Sequence, residues 1–147
     1  MSLTLIDPKK TRQLFLDDFA IEEKVGVKQS VHPPRKCGPI IRPDRSRGQT
    51  ALQSRSAPQW NSEKDLWEWW YYGDLAYYAT STDGEHWERP SLGLYEWNGS
   101  KDNNIACDPA KPRIYHIIRD ESDPDPKRRY KGLFNSSNRY LGTSPHG

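Results

Sequence analysis

The sequence predicts an all-β protein of antiparallel strands, arranged as β-propeller blades of four strands each. Three observations predict it. Trp67, Trp69 and Tyr71 recur at every second position, as do Tyr77, Ala79 and Ser81, the pattern of strands with one buried face. Asp83-Gly84 then supplies a tight-hairpin signal, because Gly accepts positive φ and Asp bonds its own backbone nearby. Finally, the stretch recurs: a shift of 63 residues lays 67–84 on 130–147 without a gap, placing Trp67 on Tyr130, Tyr71 on Phe134, Tyr77 on Tyr140, Ser81 on Ser144 and Gly84 on Gly147. An all-β unit repeating at about this length implies radial repetition. The second copy reaches Gly147 in the middle of its own turn, so an incomplete, two-blade fragment is expected. Residues 13–99 would hold N-terminal strands and the first blade, and 100–147 a truncated second blade, all within one domain.

Taken in order, Gln13 to Ile21 reads as a short apolar strand with Asp17 and Asp18 at its centre. Neighbouring strand residues face opposite ways, so one Asp is expected to close a backbone turn and the other to point inward. The run from His32 to Pro39 is a loop that proline keeps out of a sheet interior, and Ile40 to Asp44 a short strand broken by Pro43. Arg45 to Asn61 has no period. By the 63-residue register it should hold the first strand of the first blade, with Ala57 standing where the second copy has Asp120. Leu66 to Trp97, with five of the six tryptophans, should form three consecutive strands, Trp87 folding back over the strand before it. Ser91 to Gly99 is the exit from that hairpin and Ser100 to Asn104 a polar loop. Arg113 to Ile118 reads as a buried strand, followed by an acidic, proline-rich turn and a return strand over 129–134. No segment shows both a helical period and caps.

Composition narrows the function classes. Leu, Ile, Val and Phe make up only 25 of 147 residues, so a packed core has to come from Trp and Tyr. With 22 basic and 20 acidic groups, there is no electrostatic case for nucleic acid or an anionic membrane. Arg42, Arg45, Arg47 and Arg55 cluster, but in a stretch read as a solvated loop. Cys37 and Cys107 are too few for a disulfide framework and lack zinc spacing, which leaves their pairing open. The first residues carry no apolar run of signal-peptide length, and no segment approaches a membrane span. A soluble cytoplasmic protein and a secreted one without its leader fit equally well.

Several pieces, taken together, resemble a known family: Leu14-Phe-Leu-Asp-Asp-Phe-Ala-Ile21, Ile40-Ile-Arg-Pro-Asp44, Tyr78 to Pro90, Gly99 to Ile105, and Asp123 to Lys131. The set is similar to the N-terminal portion of glycoside hydrolases of the five-bladed β-propeller superfamily, which includes the β-fructosidases and arabinanases of families 32 and 43. The Ser81-Thr-Asp-Gly-Glu-His-Trp87 run also resembles the Asp-box of sialidases, a folding element of propeller blades. The resemblance implies a carbohydrate partner, no cofactor, and a shallow axial pocket lined by carboxylates. One of these must be protonated and one ionised, with a spacing of ~5–5.5 Å for retention or ~6.5–9.5 Å for inversion. It assigns Asp120, after Arg119 at a strand end, to the active site, with Glu121 where the family has proline, and Asp44 as a weaker first-blade candidate. No general acid can be assigned within the chain. A non-catalytic carbohydrate-binding or assembly module is the alternative.

Trp67, Trp69 and Trp87 are assigned to blade core, whereas Trp60 and Trp97, near loops, are candidates to stack on sugar together with Arg42. His116 is expected to pack in its strand. Asp102-Asn103-Asn104 resembles a calcium-friendly cluster without the rest of a coordination loop. Open blade edges are expected to drive self-association.

Overall fold

A computed structural model describes residues 10, 14, 16–19, 21–110, 113–135 and 139–146, without the side chains of 113, 115, 135, 139 and 140. The chain divides into two units, 1–36 and 37–147. In the first, the predicted strand is absent among the described residues: 16–19 form bends and a turn, and Leu14, Leu16 and Phe19 are exposed. Asp17 does close a turn, accepting the Phe19 N–H at 3.1 Å, but Asp18 faces outward to an ion pair with Lys24. Residues 13, 15 and 20 of that segment lie outside the described residues.

The second unit carries two antiparallel three-stranded sheets. The first contains β1 (Gln59–Asn61), β2 (Leu66–Tyr72) and β3 (Ala76–Ser81), in that order. The second contains β4 (Arg113–Arg119), β5 (Tyr130–Asn135) and β6 (Arg139–Ser144), again in order. The protein is therefore all-β, with helical character among the described residues confined to single 3-10 turns at Arg45–Arg47 and Pro126–Arg128, capped by Asp44 and Asp125.

The 63-residue offset is reproduced pair for pair. Trp67 pairs with Ser81 and Tyr72 with Ala76; Tyr130 pairs with Ser144 and Asn135 with Arg139. The first strands obey a different offset. Trp60 pairs with Trp67, but Arg119 pairs with Tyr130, because the acidic turn makes the second connection four residues longer. The counterpart of Asp120 is thus Asn61 rather than Ala57: Asp120 donates its N–H to the Arg129 carbonyl at 2.8 Å, where Asn61 pairs with Leu66. β1 is short because Pro58, without an N–H, precedes it.

Two further expectations change along the chain. Residues 40–44 form no strand; Pro39 and Pro43 cannot donate, and Asp44 instead caps the 3-10 turn, accepting from Ser46 N–H at 3.1 Å. Asp83-Gly84 does not make a two-residue hairpin. The run 81–87 wraps around the Asp83 carboxylate, which accepts the Glu85 and His86 N–H groups at 2.8 and 2.7 Å, and only one bridge, Thr80 to Glu88, follows it. Gly84, at φ +77°, takes the left-handed position the turn requires. A tight turn does form at Asn98-Gly99 (φ 53° and 78°), closing Trp97 onto Ser100.

Both faces of β2 are used, not one. Trp70 meets Tyr78 at 5.1 Å and Tyr130 of the second sheet at 5.5 Å, over Ile114 and Ile117. On the opposite face, Tyr71 stacks on Tyr77 at 5.5 Å and Trp69 meets Trp87 edge-on at 5.1 Å, covering Ala79 and Ile105. Trp87 therefore folds back as expected, and it and Trp69, both half-buried, pack on this core cluster, while Trp67, also expected in the core, is half-buried outside both clusters. Ile105 is fully enclosed, a burial worth ~1.5–3 kcal/mol. The sheets stack head to tail: the Glu68/Trp70 face of the first meets the Tyr130/Gly132/Phe134 side of the second, which by the offset corresponds to the Trp67/Trp69/Tyr71 side.

Candidate functional site

Of the residues assigned from sequence, the fold brings two together. Arg42 and Asp44 line an open, largely polar cleft of about 480 Å³ formed by residues 39–45 with Trp87 and Arg89. The cleft follows from local chemistry. Asp44 is fixed as a cap: Oδ1 accepts from Ser46 N–H and from its hydroxyl at 2.5 Å, and Oδ2 lies 3.5 Å from Arg47 Nε. Gln49 closes the loop from below, its Oε1 accepting the Asp44 N–H at 2.9 Å. Arg89 then ties the loop to the first sheet. Its Nε donates to the Tyr71 hydroxyl at 3.2 Å, its Nη2 to the Arg42 carbonyl, and its Nη1 sits 3.9 Å from Asp44. The hydrogen bond from Ser46 holds the Asp44 carboxyl below its ordinary pKa, so it is ionised at neutral pH and is no proton donor.

Asp120 is elsewhere. It belongs to the turn after β4, whose sheet packs on the Trp70 face of β2, whereas Asp44 lies against Arg89 and Tyr71 on the other face. Asp120 accepts from the Ser122 N–H and hydroxyl at 3.0 and 2.6 Å and is ion-paired with Lys131, which also reaches Asp123 at 2.9 Å. Lys131 pulls the Asp120 pKa well below the usual carboxylate range, with Ser122 adding to the effect. The two predicted carboxylates are thus both ionised and do not face one pocket.

Trp60 is an exposed ring on β1, 5.3 Å and edge-on from Trp67. Because Trp60 and Trp67 are cross-strand partners, they share a face with Trp69 and Tyr71, giving a row of aromatic rings that runs from the exposed Trp60 toward the Trp87 wall of the cleft. Trp97, also exposed, sits on its own small hairpin. In the calcium-like cluster, the two asparagine amides are tied to the fold. Asn103 Nδ2 donates to the Tyr95 and Ser100 carbonyls, and Asn104 Nδ2 donates to the Tyr71 hydroxyl and the Tyr78 carbonyl at 3.0 and 2.7 Å. His116 is exposed rather than packed, beside a bulge between Ile114 and His116. No disulfide joins Cys37 to Cys107. Among the described residues, no group of three acidic, His or Cys side chains is placed to hold a metal, and no helix is long and apolar enough to cross a membrane.

Sequence reasoning missed the most elaborate polar constellation, around Glu68. Its carboxylate is fully buried and accepts four bonds: Tyr130 hydroxyl at 2.5 Å and Asn61 Nδ2 at 3.1 Å on Oε2, and Tyr78 hydroxyl at 2.7 Å and Lys64 Nζ at 2.9 Å on Oε1. Burial alone would raise its pKa; hydrogen bonds from Tyr130, Tyr78, Lys64 and Asn61 outweigh that and hold it below the ordinary value. The same burial, reinforced by the Glu68 charge, pushes the Tyr130 hydroxyl up to about 12 and Tyr78 higher still. Arg119 extends the cluster, donating to the Tyr130 hydroxyl at 3.1 Å and pairing with Glu121 and Glu63. The cluster joins β2 and β3 of the first sheet to β5 of the second, which makes it a cross-link, closed to substrate. Its signal in the sequence was an acid inside an aromatic strand, at the alternate positions to Trp67 and Trp69.

No protein-family model, no curated protein and no solved structure matches this chain.

Proposed function

We propose that this chain is a carbohydrate-binding segment of a glycoside hydrolase-like five-bladed β-propeller, with the two sheets as successive blades. The observation that carries the reading is the head-to-tail stacking of two sheets related by one 63-residue offset. Opposite faces meet, and the far face of the second sheet, which carries the exposed Leu141, is left to receive a further copy in the same sense, while loop residues and Trp87 cover the far face of the first; repetition of such a heterologous contact closes a ring. The Ser81–Trp87 turn adds to it. Ser81 Oγ accepts from the Asp83 and Gly84 N–H groups at 3.3 and 2.8 Å, Trp87 Nε1 donates to the Gly84 carbonyl at 3.0 Å, and in the second sheet Ser144 Oγ accepts from the His146 N–H at 3.1 Å, at the position offset from Asp83.

Within that reading, Asp120 supplies an ionised carboxylate of a glycosidase set, and Trp60 and Trp97 supply stacking surfaces. Binding without hydrolysis by these residues alone is favoured by a specific observation: Asp44 and Asp120 are both held ionised, and a glycosidase needs a protonated partner. The free edge of β6 is the proposed route of self-association.

The test is calorimetric titration of the purified chain with a panel of soluble polysaccharides, alongside aryl-glycoside hydrolysis. Saturable binding weakened at least several-fold by Trp60→Ala supports the reading. Absence of binding across the panel overturns it, and turnover of an aryl glycoside overturns the binding-only assignment.

A further inference from the structure

The cleft that holds Arg42 and Asp44 has an electrostatic imbalance with a chemical meaning. Its one carboxylate among the described residues, Asp44, is engaged by the Ser46 N–H and hydroxyl and lies near Arg47 and Arg89. Arg89 is engaged too, by the Tyr71 hydroxyl and the Arg42 carbonyl. Arg42 and Arg45 also line the cleft, and neither guanidinium forms an ion pair with any described residue. Two exposed arginines without an ion-pair partner among the described residues thus line the same cleft as Trp87, on a loop held by Arg89 and Gln49.

Planar guanidinium forks match carboxylate geometry, forming paired, charge-assisted N–H···O bonds. An indole wall suits a flat apolar surface, including the C–H face of a pyranose ring. A neutral sugar would leave both cations unused, and an inorganic oxyanion would leave the indole unused. A hexuronic acid carries a ring and a carboxylate on one residue and uses both.

We propose that this cleft binds a uronic-acid residue of an acidic glycan, Arg42 and Arg45 taking the carboxylate and Trp87 the ring. The proposal rests on the carbohydrate-binding reading and specifies its substrate class.

The experiment is an NMR titration of the full chain, following the Trp indole N–H and Arg Nε–H signals, with an oligoglucuronate, a neutral oligosaccharide of equal length and inorganic phosphate, repeated on R42A/R45A. Both arginines are exposed, so the variant should retain the fold, which its unperturbed spectrum checks. Binding of the oligoglucuronate about tenfold or more tighter than its neutral match, lost to a similar degree in R42A/R45A and weakened by salt, is the expected result. Equal affinity for the neutral oligosaccharide, insensitive to R42A/R45A, overturns the proposal and leaves carbohydrate binding standing. Phosphate binding as tight as oligoglucuronate reduces the cleft to an anion site and also overturns it. No response to any sugar overturns both readings.

Discussion

The two sheets share a backbone plan and differ in how they fill it. Where the first sheet sets Trp69 opposite Ala79, the second, at the same offset, sets Gly132 opposite Gly142. Phe134, counterpart of Tyr71, leans over the glycine pair, its Cε2 3.0 Å and 2.7 Å from where a Cβ would stand on Gly132 and Gly142. The ring thus covers backbone that glycine leaves bare. Even so, the second sheet keeps an apolar cavity of about 160 Å³ between this ring and Ala106, Cys107 and Ile117, whereas the first buries Tyr71, Tyr77 and Ala79 almost completely. The contrast teaches that strand register and turn chemistry carry the repeat, while side-chain volume is free to vary as long as the neighbouring face accommodates it.

The most severe way to break the relation between the sheets is to remove the acid that joins them. Glu68→Ala leaves the Tyr130 and Tyr78 hydroxyls, the Asn61 amide and the Lys64 ammonium without their acceptor. A loss of ~3–5 kcal/mol is expected in urea unfolding at pH 7. The same group sets an acid limb. Because its folded pKa is depressed, Glu68 contributes stability above its unfolded value near 4.5, and that contribution is lost as pH falls through the lower folded value. Unfolding free energies measured from pH 7 down to pH 3 should therefore fall more steeply in the parent than in Glu68→Gln.

Tyr130→Phe is milder. It keeps the ring against Trp70 and removes only the hydroxyl that donates to Glu68 and accepts from Asn61 and Arg119, with an expected cost of ~1–3 kcal/mol. Gly142→Ala sharpens the contrast in packing. The new methyl group displaces Phe134, a half-buried ring with room to swing, so the loss should sit near the low end of the ~1–3 kcal/mol typical of overpacking. Smallest of all is the surface pair in the first sheet's turn. The Asp83 carboxylate, 2.6 Å from His86 Nδ1, raises the His86 pKa, so its imidazole should titrate above 6.5 by NMR and return toward that value in Asp83→Asn. The raised value means the pair acts at pH below the ordinary His range and fades as pH rises through the folded pKa.

The sequence made the strands over 66–72, 76–81, 113–119 and 130–135 legible, because alternation and the 63-residue echo depend on local residues alone. It misassigned what depends on partners. Ile40 to Asp44 has strand-like residues but no neighbour to bond, and two prolines prevent one. Ala57 was matched to Asp120 because a gap-free offset cannot register the four extra residues of the acidic turn. Glu68 went unremarked, since alternation identifies an inward-facing acid only when both faces of the strand are known to be covered. Of the site, Arg42 and Asp44 converge on the cleft, whereas Trp87 serves the core and the cleft wall at once and Arg89 carries no period or motif that marks it.

Two copies of one sheet unit are joined face to opposite face through Glu68 and Tyr130, and a double-mutant cycle on these two positions measures that joint. Glu68→Gln, Tyr130→Phe and the double variant, compared by urea unfolding, should show a coupling of ~1–3 kcal/mol. Additivity within ~0.3–0.5 kcal/mol would mean that the two residues do not meet and that the sheets are not joined there.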